Sequence, residues 1–341
     1  MPPGALERGP AMTGAASPRR VVVCGARFDP LDIEEGVLSP LGVEVVRASG
    51  DDEAALIDSC RGAAAVLAGS APRFSRAVLA EMRGVQALVR YGIGVDRIDV
   101  EAAAELGVPV CNVLDYCTDE VALHAVTMIL ALTRKIETAA GHVRAGGWGV
   151  AEVRPIAAPE ATTVAVLGLG RIGRRAAAFL KGLGFRLTGF DPFVTSDPTG
   201  GALELRPTLE AALRDAQVVT LHLPLSDATR HLLGERELAL LPDGAFVVNV
   251  SRGGLIDEPA LLRALDDGRL AGAGLDVAEG EPPSGDDPLR GHPSVLLTPH
   301  MAWYSEQAQA RMRLLAAEEV ARCLRGEAPL NPVPGAVGGA A

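Results

Sequence analysis

Lysine is almost missing from this chain, with arginine outnumbering it 30 to 2. Basic residues together are outnumbered by acids, 32 to 43, leaving a formal net charge of −11. So acidic a balance argues against binding nucleic acid or an acidic membrane through bulk charge. Long apolar runs are also lacking. The longest, Val121 to Leu132, carries His124 and is too short to span a bilayer. Cysteine is sparse and unpatterned. Cys24, Cys60, Cys111, Cys117 and Cys323 are odd in number, contain no C-x-x-C and mostly sit in apolar runs. That excludes a disulfide framework and reads as reduced thiols in a cytoplasmic protein. The first 18 residues are rich in Pro, Gly and Ala but hold no signal-peptide apolar core. They are expected to be a disordered tail, with Met12 an alternative start.

What the chain does have is glycine in a defined place. Val164 to Leu167 reads as a buried strand, followed by Gly168, Gly170 and Gly173 as G-x-G-x-x-G and then by a helical pattern. A second apolar run, Phe185 to Phe190, ends in Asp191, 18 residues after Gly173. This is the dinucleotide-binding fingerprint in its required context. Gly168 permits the tight turn, Gly170 lets backbone approach a pyrophosphate, and Gly173 lets helix pack on strand. The free N–H groups of the helix start, with their positive dipole end, face the phosphates. Asp191 would accept the ribose hydroxyls of NAD and repel the extra phosphate of NADP. About 160 residues precede a motif that normally opens a domain, so another unit must come first.

That first unit reads as alternating strands and helices. Strands are expected at Arg20 to Gly25, Val43 to Val46, Ala64 to Leu67, Ala87 to Val89 and Val108 to Cys111, which implies a parallel sheet covered on both faces. Its most glycine-dense turn, Arg90-Tyr91-Gly92-Ile93-Gly94-Val95-Asp96, directly follows a strand. It is either a ligand loop or an ordinary turn. Residues 118–136 form the strongest helix pattern, with Thr118 as N-cap and an apolar surface nearly all round. His124 on it reads as a buried structural histidine. Residues 137–161 read as a connection containing His142 and Trp148. Beyond Asp191, strands are expected at Val218 to Leu223, Ala245 to Val250, Ala271 to Val277 and Val295 to Thr298, with a last amphipathic helix at about Ser305 to Leu324. His231 is placed on an exposed helix, and His222 within a strand.

Three ionisable residues fall just beyond successive strands of the nucleotide unit: Arg252, Glu281 and His300. In a doubly wound sheet those ends line the crevice that holds the cofactor. A histidine is suited to protonating a carbonyl oxygen near neutral pH. A neighbouring carboxylate would favour its imidazolium and fix its tautomer. An arginine can hold a substrate carboxylate as a planar fork. Together they fit hydride transfer between NADH and a 2-keto acid. No metal site is expected.

The motifs GLGRIG with Asp191, NVSRGGLIDEPAL, GLDVAEGEPP and LLTPH make the chain resemble the D-isomer-specific 2-hydroxyacid dehydrogenases over about residues 20 to 328. VCNVLDYCTDEVA and PHMAWYSEQAQ, with Arg90 and Trp303, are most similar to the C-terminal-binding-protein branch and its bacterial homologues. The resemblance implies two doubly wound α/β domains. A Rossmann NAD-binding domain, 118–305, would be inserted into a flavodoxin-like substrate domain, 19–117 with 306–330, before a flexible tail at 331–341. It also implies a catalytic arginine at Arg252, glutamate at Glu281 and histidine at His300. Cofactor contacts would come from Gly168, Gly170, Arg171, Ile172, Gly173, Asp191, Pro224, Thr229, Arg252, Asp276 and His300. The substrate would sit in a cleft between domains, met by Arg90, Gly92, Ile93, Gly94, Arg252 and Trp303. A homodimer through the NAD-binding domain is implied. Three positions depart from the family pattern: Leu123 replaces an acid, Ala278 a frequent aromatic residue, and Leu114 a frequent proline.

The alternative is an NAD(H)-sensing corepressor or scaffold of the C-terminal-binding-protein type with little turnover. The bacterial-looking composition speaks against it, as does the intact trio, although the animal scaffolds keep that trio too. Oxidation as the working direction, or a phosphonate in place of the carboxylate, also suits two arginines.

Overall fold

The computed structural model describes residues 19–26, 28–48 and 52–335. The expected tail at 1–18, with Met12, and residues 336–341 lie outside that set. The chain divides into two compact units, one running to Tyr116 and resuming at Ala310, the other from Cys117 to Gln309. The second junction therefore falls inside a single helix, Glu306–Leu324.

The first unit is built on β1 (Arg19–Cys24), β2 (Val43–Ala48), β3 (Ala65–Ala68), β4 (Leu88–Arg90) and β5 (Val110–Cys111). They pair in the order β2-β1-β3-β4-β5, every pair parallel. This is the flavodoxin-type order. All four residues of β3 are buried, as are Val21 to Cys24 of β1. Helices cover both faces, so these strands are continuous apolar runs and show no alternation.

The second unit carries β6 (Thr163–Leu167), β7 (Arg186–Phe190), β8 (Glu204–Leu205), β9 (Val218–Leu221), β10 (Ala245–Asn249), β11 (Leu270–Leu275) and β12 (Val295–Leu297). Their order is β12-β11-β10-β9-β6-β7-β8, again parallel throughout. This is the Rossmann order with a seventh strand added, and its direction of winding reverses between β6 and β9. β8 has only two residues, too few to leave a pattern in the sequence.

Several local expectations change. The apolar helix is Thr118–Thr133, preceded by Cys117 with no side-chain cap. It stops three residues short of 136 because Lys135 takes a left-handed conformation, φ 52°. A second helix, Ile136–Arg144, starts there and includes His142, so part of the expected connection is helical. Nor is the first helix buried all round, since Leu123 is exposed. His231 lies off any helix at φ 51°, with Nε2 3.0 Å from Glu279 Oε1. Residues 331–333, expected in a flexible tail, lie beside β5 instead. Val333 N–H donates to Val110 O, and Glu319 accepts the N–H groups of Leu330 and Asn331.

Helix Thr118–Thr133 lies on β11 through two glycines on one face of that strand. A Cβ on Gly274 would stand 3.1 Å from Met128 Cβ and 3.2 Å from Leu132 Cδ1. One on Gly272 would stand 3.3 Å from Leu132 Cδ2. Strand glycines of this kind mark close approach of another element. Gly274→Val should therefore lower stability by about 1–3 kcal/mol through overpacking, read as a drop in denaturation midpoint at constant m-value.

Candidate active site

Every strand of the second sheet points the same way, so the residues that follow the strands emerge on one edge. Read across that edge, β12 is followed by His300, β11 by Asp276, β10 by Arg252, β9 by Pro224, β6 by Gly168 and β7 by Asp191. With neighbouring strands about 4.8 Å apart, β7 and β11 are about 19 Å apart. The ionisable trio stands on one side of the switch point, and the glycine turn with its acid on the other.

The glycine turn fits a dinucleotide. Gly168 has φ 90°, and a Cβ there would run into the carbonyl of His222 at the end of β9. A Cβ on Gly173 would strike the Gly168 carbonyl. Gly170 is different, because a Cβ there would meet nothing within 4 Å. The two outer glycines hold the turn closed, and the middle one faces open space at the start of helix Arg171–Gly182. Arg171 and Ile172 form the first turn of that helix. Asp191 accepts the N–H of Leu169 on Oδ2 at 2.9 Å and that of Phe193 on Oδ1 at 2.9 Å. Its carboxylate is thereby fixed beside the turn, with lone pairs left on both oxygens. Thr229 Oγ1 donates to Pro224 O at 2.7 Å and closes the loop after β9. His222, just past that strand, is half-buried, and loss of water around the ring pushes its imidazole down to about 4.

On the other side, His300 Nδ1 lies 2.6 Å from Glu281 Oε2. Both side chains keep an open side, 44% and 36% exposed respectively. A carboxylate only accepts, so Nδ1 carries the proton and Nε2 is the nitrogen left to meet a ligand. Burial would raise the Glu281 carboxyl, but the hydrogen bond and charge of His300 outweigh it and hold the group below its ordinary value. Arg252, whose charge adds to that effect, donates from Nη1 to Ser251 O at 2.7 Å. Gly253 beside it has no room for a Cβ against the backbone of Ala278 and Glu279. That contact draws the Arg252 loop onto the loop that carries Glu281.

Asp276 behaves unlike its neighbours. Its side chain is wholly buried, and its carboxylate accepts Thr298 Oγ1–H, Met301 N–H at 2.9 Å and Ala302 N–H at 2.8 Å. Its own carbonyl accepts His300 N–H at 2.8 Å. His124 Nε2 completes the group, 3.1 Å from Thr298 Oγ1 and 3.7 Å from Asp276 Oδ1. The geometry thus turns Asp276 toward the segment that presents His300, which it holds at φ 52°. Trp303 Nε1 donates back to His300 O at 3.1 Å. The sequence held no signal for the 174-residue link from His124 to Thr298.

In the first unit, the turn after β4 is shaped by its carbonyls. Gly92 O accepts Val113 N–H at 3.1 Å, and Ile93 O accepts Asn112 Nδ2 at 2.8 Å. In a trans peptide the following N–H points the opposite way. The N–H groups of Ile93 and Gly94 are therefore aimed away from 112–113. Gly92 has φ 124°, and a Cβ on it would lie 3.3 Å from Arg90 Nη1. Among the described residues no group of His, Cys, Asp and Glu could hold a metal ion, and no helix is long and apolar enough to cross a membrane.

The family model described as "D-isomer specific 2-hydroxyacid dehydrogenase, NAD binding domain" matches residues 126–302. The D-3-phosphoglycerate dehydrogenase of Methanocaldococcus jannaschii is 35% identical over 298 residues, 87% of this chain and 56% of that protein. That of Archaeoglobus fulgidus is 33% identical over 292 residues, 86% and 55%. The chain spans about half the length of the curated relatives it matches. Among solved structures, a D-2-hydroxyisocaproate dehydrogenase matches with TM-score 0.80 at 27% identity, over 92% of this chain and 99% of that one. A glyoxylate reductase from Paecilomyes thermophila matches with TM-score 0.83 at 27% identity, over 93% and 99%.

The depressed Glu281 carboxyl has a checkable sign. Its folded value lies below 4.5, so the native state favours the ionised form. The stabilisation is present above the unfolded value and is lost as pH falls through the folded one. Denaturant titrations should show wild type more stable than Glu281→Gln at neutral pH, with the gap closing below about pH 4.5. A gap that widens in acid would contradict this sign.

Proposed function

Because the chain belongs to the D-isomer specific 2-hydroxyacid dehydrogenase family, we propose that it reduces a 2-keto acid with NADH, or oxidises the matching 2-hydroxy acid. The observation that carries this reading is the 2.6 Å His300–Glu281 pair, on the same sheet edge as the glycine turn and Arg252. Bound NADH supplies the hydride. Nε2 of His300 gives a proton to the carbonyl oxygen, while Glu281 accepts from Nδ1 and fixes the orientation of the ring. Arg252 binds the substrate carboxylate and polarises the neighbouring carbonyl. The N–H groups of Ile93 and Gly94, with Gly92 and Arg90, form an anion subsite on the first unit. Trp303 shapes the pocket wall. Asp276 acts by positioning His300.

Gly168, Gly170 and Gly173, with Arg171 and Ile172, cradle the pyrophosphate. Asp191 takes the ribose hydroxyls, and its fixed negative charge disfavours the NADP phosphate. The loop from Pro224 to Thr229 flanks the cofactor. The scaffold reading predicts tight NADH binding with no turnover on any keto acid.

A panel of 2-keto acids with NADH decides between them. His300→Ala should lower kcat about 10²–10⁴-fold. Asp191→Ala should weaken NADH binding and narrow the preference over NADPH. Wild-type rates retained in His300→Ala would refute the general-acid assignment.

We also propose that a second copy covers residues 136–150. Ile136, Val143, Trp148 and Val150 are all exposed there, Trp148 by 90%. Grouped exposed apolar side chains mark an association surface. Light scattering should find a dimer in wild type and a shift toward monomer in Trp148→Ser.

A further inference from the structure

We propose that Tyr91, Glu34 and Arg313 form a positioning triad that sets the aim of the 90–94 loop toward the substrate anion. This rests on that loop being the anion subsite. All three residues belong to the first unit.

Glu34 is fully buried, and among the described residues Tyr91 and Arg313 donate to it. Tyr91 Oη donates to Oε1 at 2.8 Å. Arg313 Nε lies 3.1 Å from Oε1 and 3.2 Å from Oε2, and its Nη2 donates to Oε2 at 2.7 Å. The same Nη2 reaches Pro30 O at 2.7 Å and Asp32 Oδ1 at 2.9 Å. The guanidinium also lies over the Phe28 ring, 4.6 Å from its centroid, and Phe28 meets Tyr91 edge to face at 5.1 Å.

A buried ion pair adds little net stability over apolar residues of the same volume. What it does supply is direction, because Arg313 is a rigid fork and Glu34 can satisfy it in few orientations. Tyr91 transmits that direction. Its phenol is anchored to Glu34, and its backbone N–H donates to Ala68 O at 2.9 Å. The next residue is Gly92, whose positive φ turns the chain into the loop. Burial, and then the charge of Glu34, push the phenol above the ordinary tyrosine value. It therefore remains a donor at working pH.

Tyr91→Phe keeps the ring and removes only the hydroxyl. In the enzyme with NADH and its best keto acid, KM should rise about tenfold, from loss of a hydrogen bond to a charged group. Both kcat and the NADH dissociation constant should stay within about twofold, well inside that change. Hydrogen exchange at Ile93 and Gly94 should accelerate in the free protein. Arg313→Lys should raise KM too, because an ammonium cannot fork. A lower melting temperature with unchanged KM and unchanged loop exchange would reduce the triad to a structural role and overturn the proposal. If wild type turns over no keto acid, the functional reading fails on its own. Loop exchange then decides the triad, and unaltered exchange in Tyr91→Phe refutes it.

Discussion

A parallel strand can be followed only by a crossover that returns the chain to the starting edge of the sheet. Among the described residues, twelve strands obey that constraint in two separate sheets. In the larger one it delivers six residues of differing chemistry to one edge, although 132 positions separate Gly168 from His300 in the sequence. Strand order then decides what stands beside what. Reversal between β6 and β9 sets the glycine turn near the middle, with Asp191 on one side and Arg252, Asp276 and His300 on the other.

A shared edge is not enough for chemistry, which needs side chains held to within fractions of an ångström. Asp276 provides that at β12. A carboxylate with no exposure must collect donors or be neutralised. The donors it collects, Thr298, Met301 and Ala302, bracket His300. The histidine itself stays open, in a backbone conformation that non-glycine residues adopt rarely. Burial and exposure are thus divided between adjacent acids: Asp276 is sealed and supports, while Glu281 is reachable and bonds the imidazole.

The fold was largely legible because its signals are local. Apolar runs marked most strands, and G-x-G-x-x-G marked one turn and the helix after it. Arg252, Glu281 and His300 could be named from their positions after strands, and the structure joins His300 to Glu281. The misses have physical causes. β8 is too short to carry a period. Lys135 breaks a helix that its composition would extend. His124 and Thr298, or Glu34 and Arg313, meet through tertiary packing, for which linear spacing holds no signature. The 90% exposure of Trp148 has no counterpart in its residue type.

The carboxylate of Glu34 and its guanidinium partner are 279 residues apart, with the whole second unit between them. A ribosome emits them in that order. At 5–20 residues per second, roughly 15–55 s separate the two. During that interval the nascent first unit holds the Glu34 carboxylate without the Arg313 guanidinium that pairs with it in the finished fold. The inserted unit is continuous in the chain and has no such wait. Synthesis thus completes the inserted unit before the last helix, which carries the guanidinium that the Glu34 pair needs.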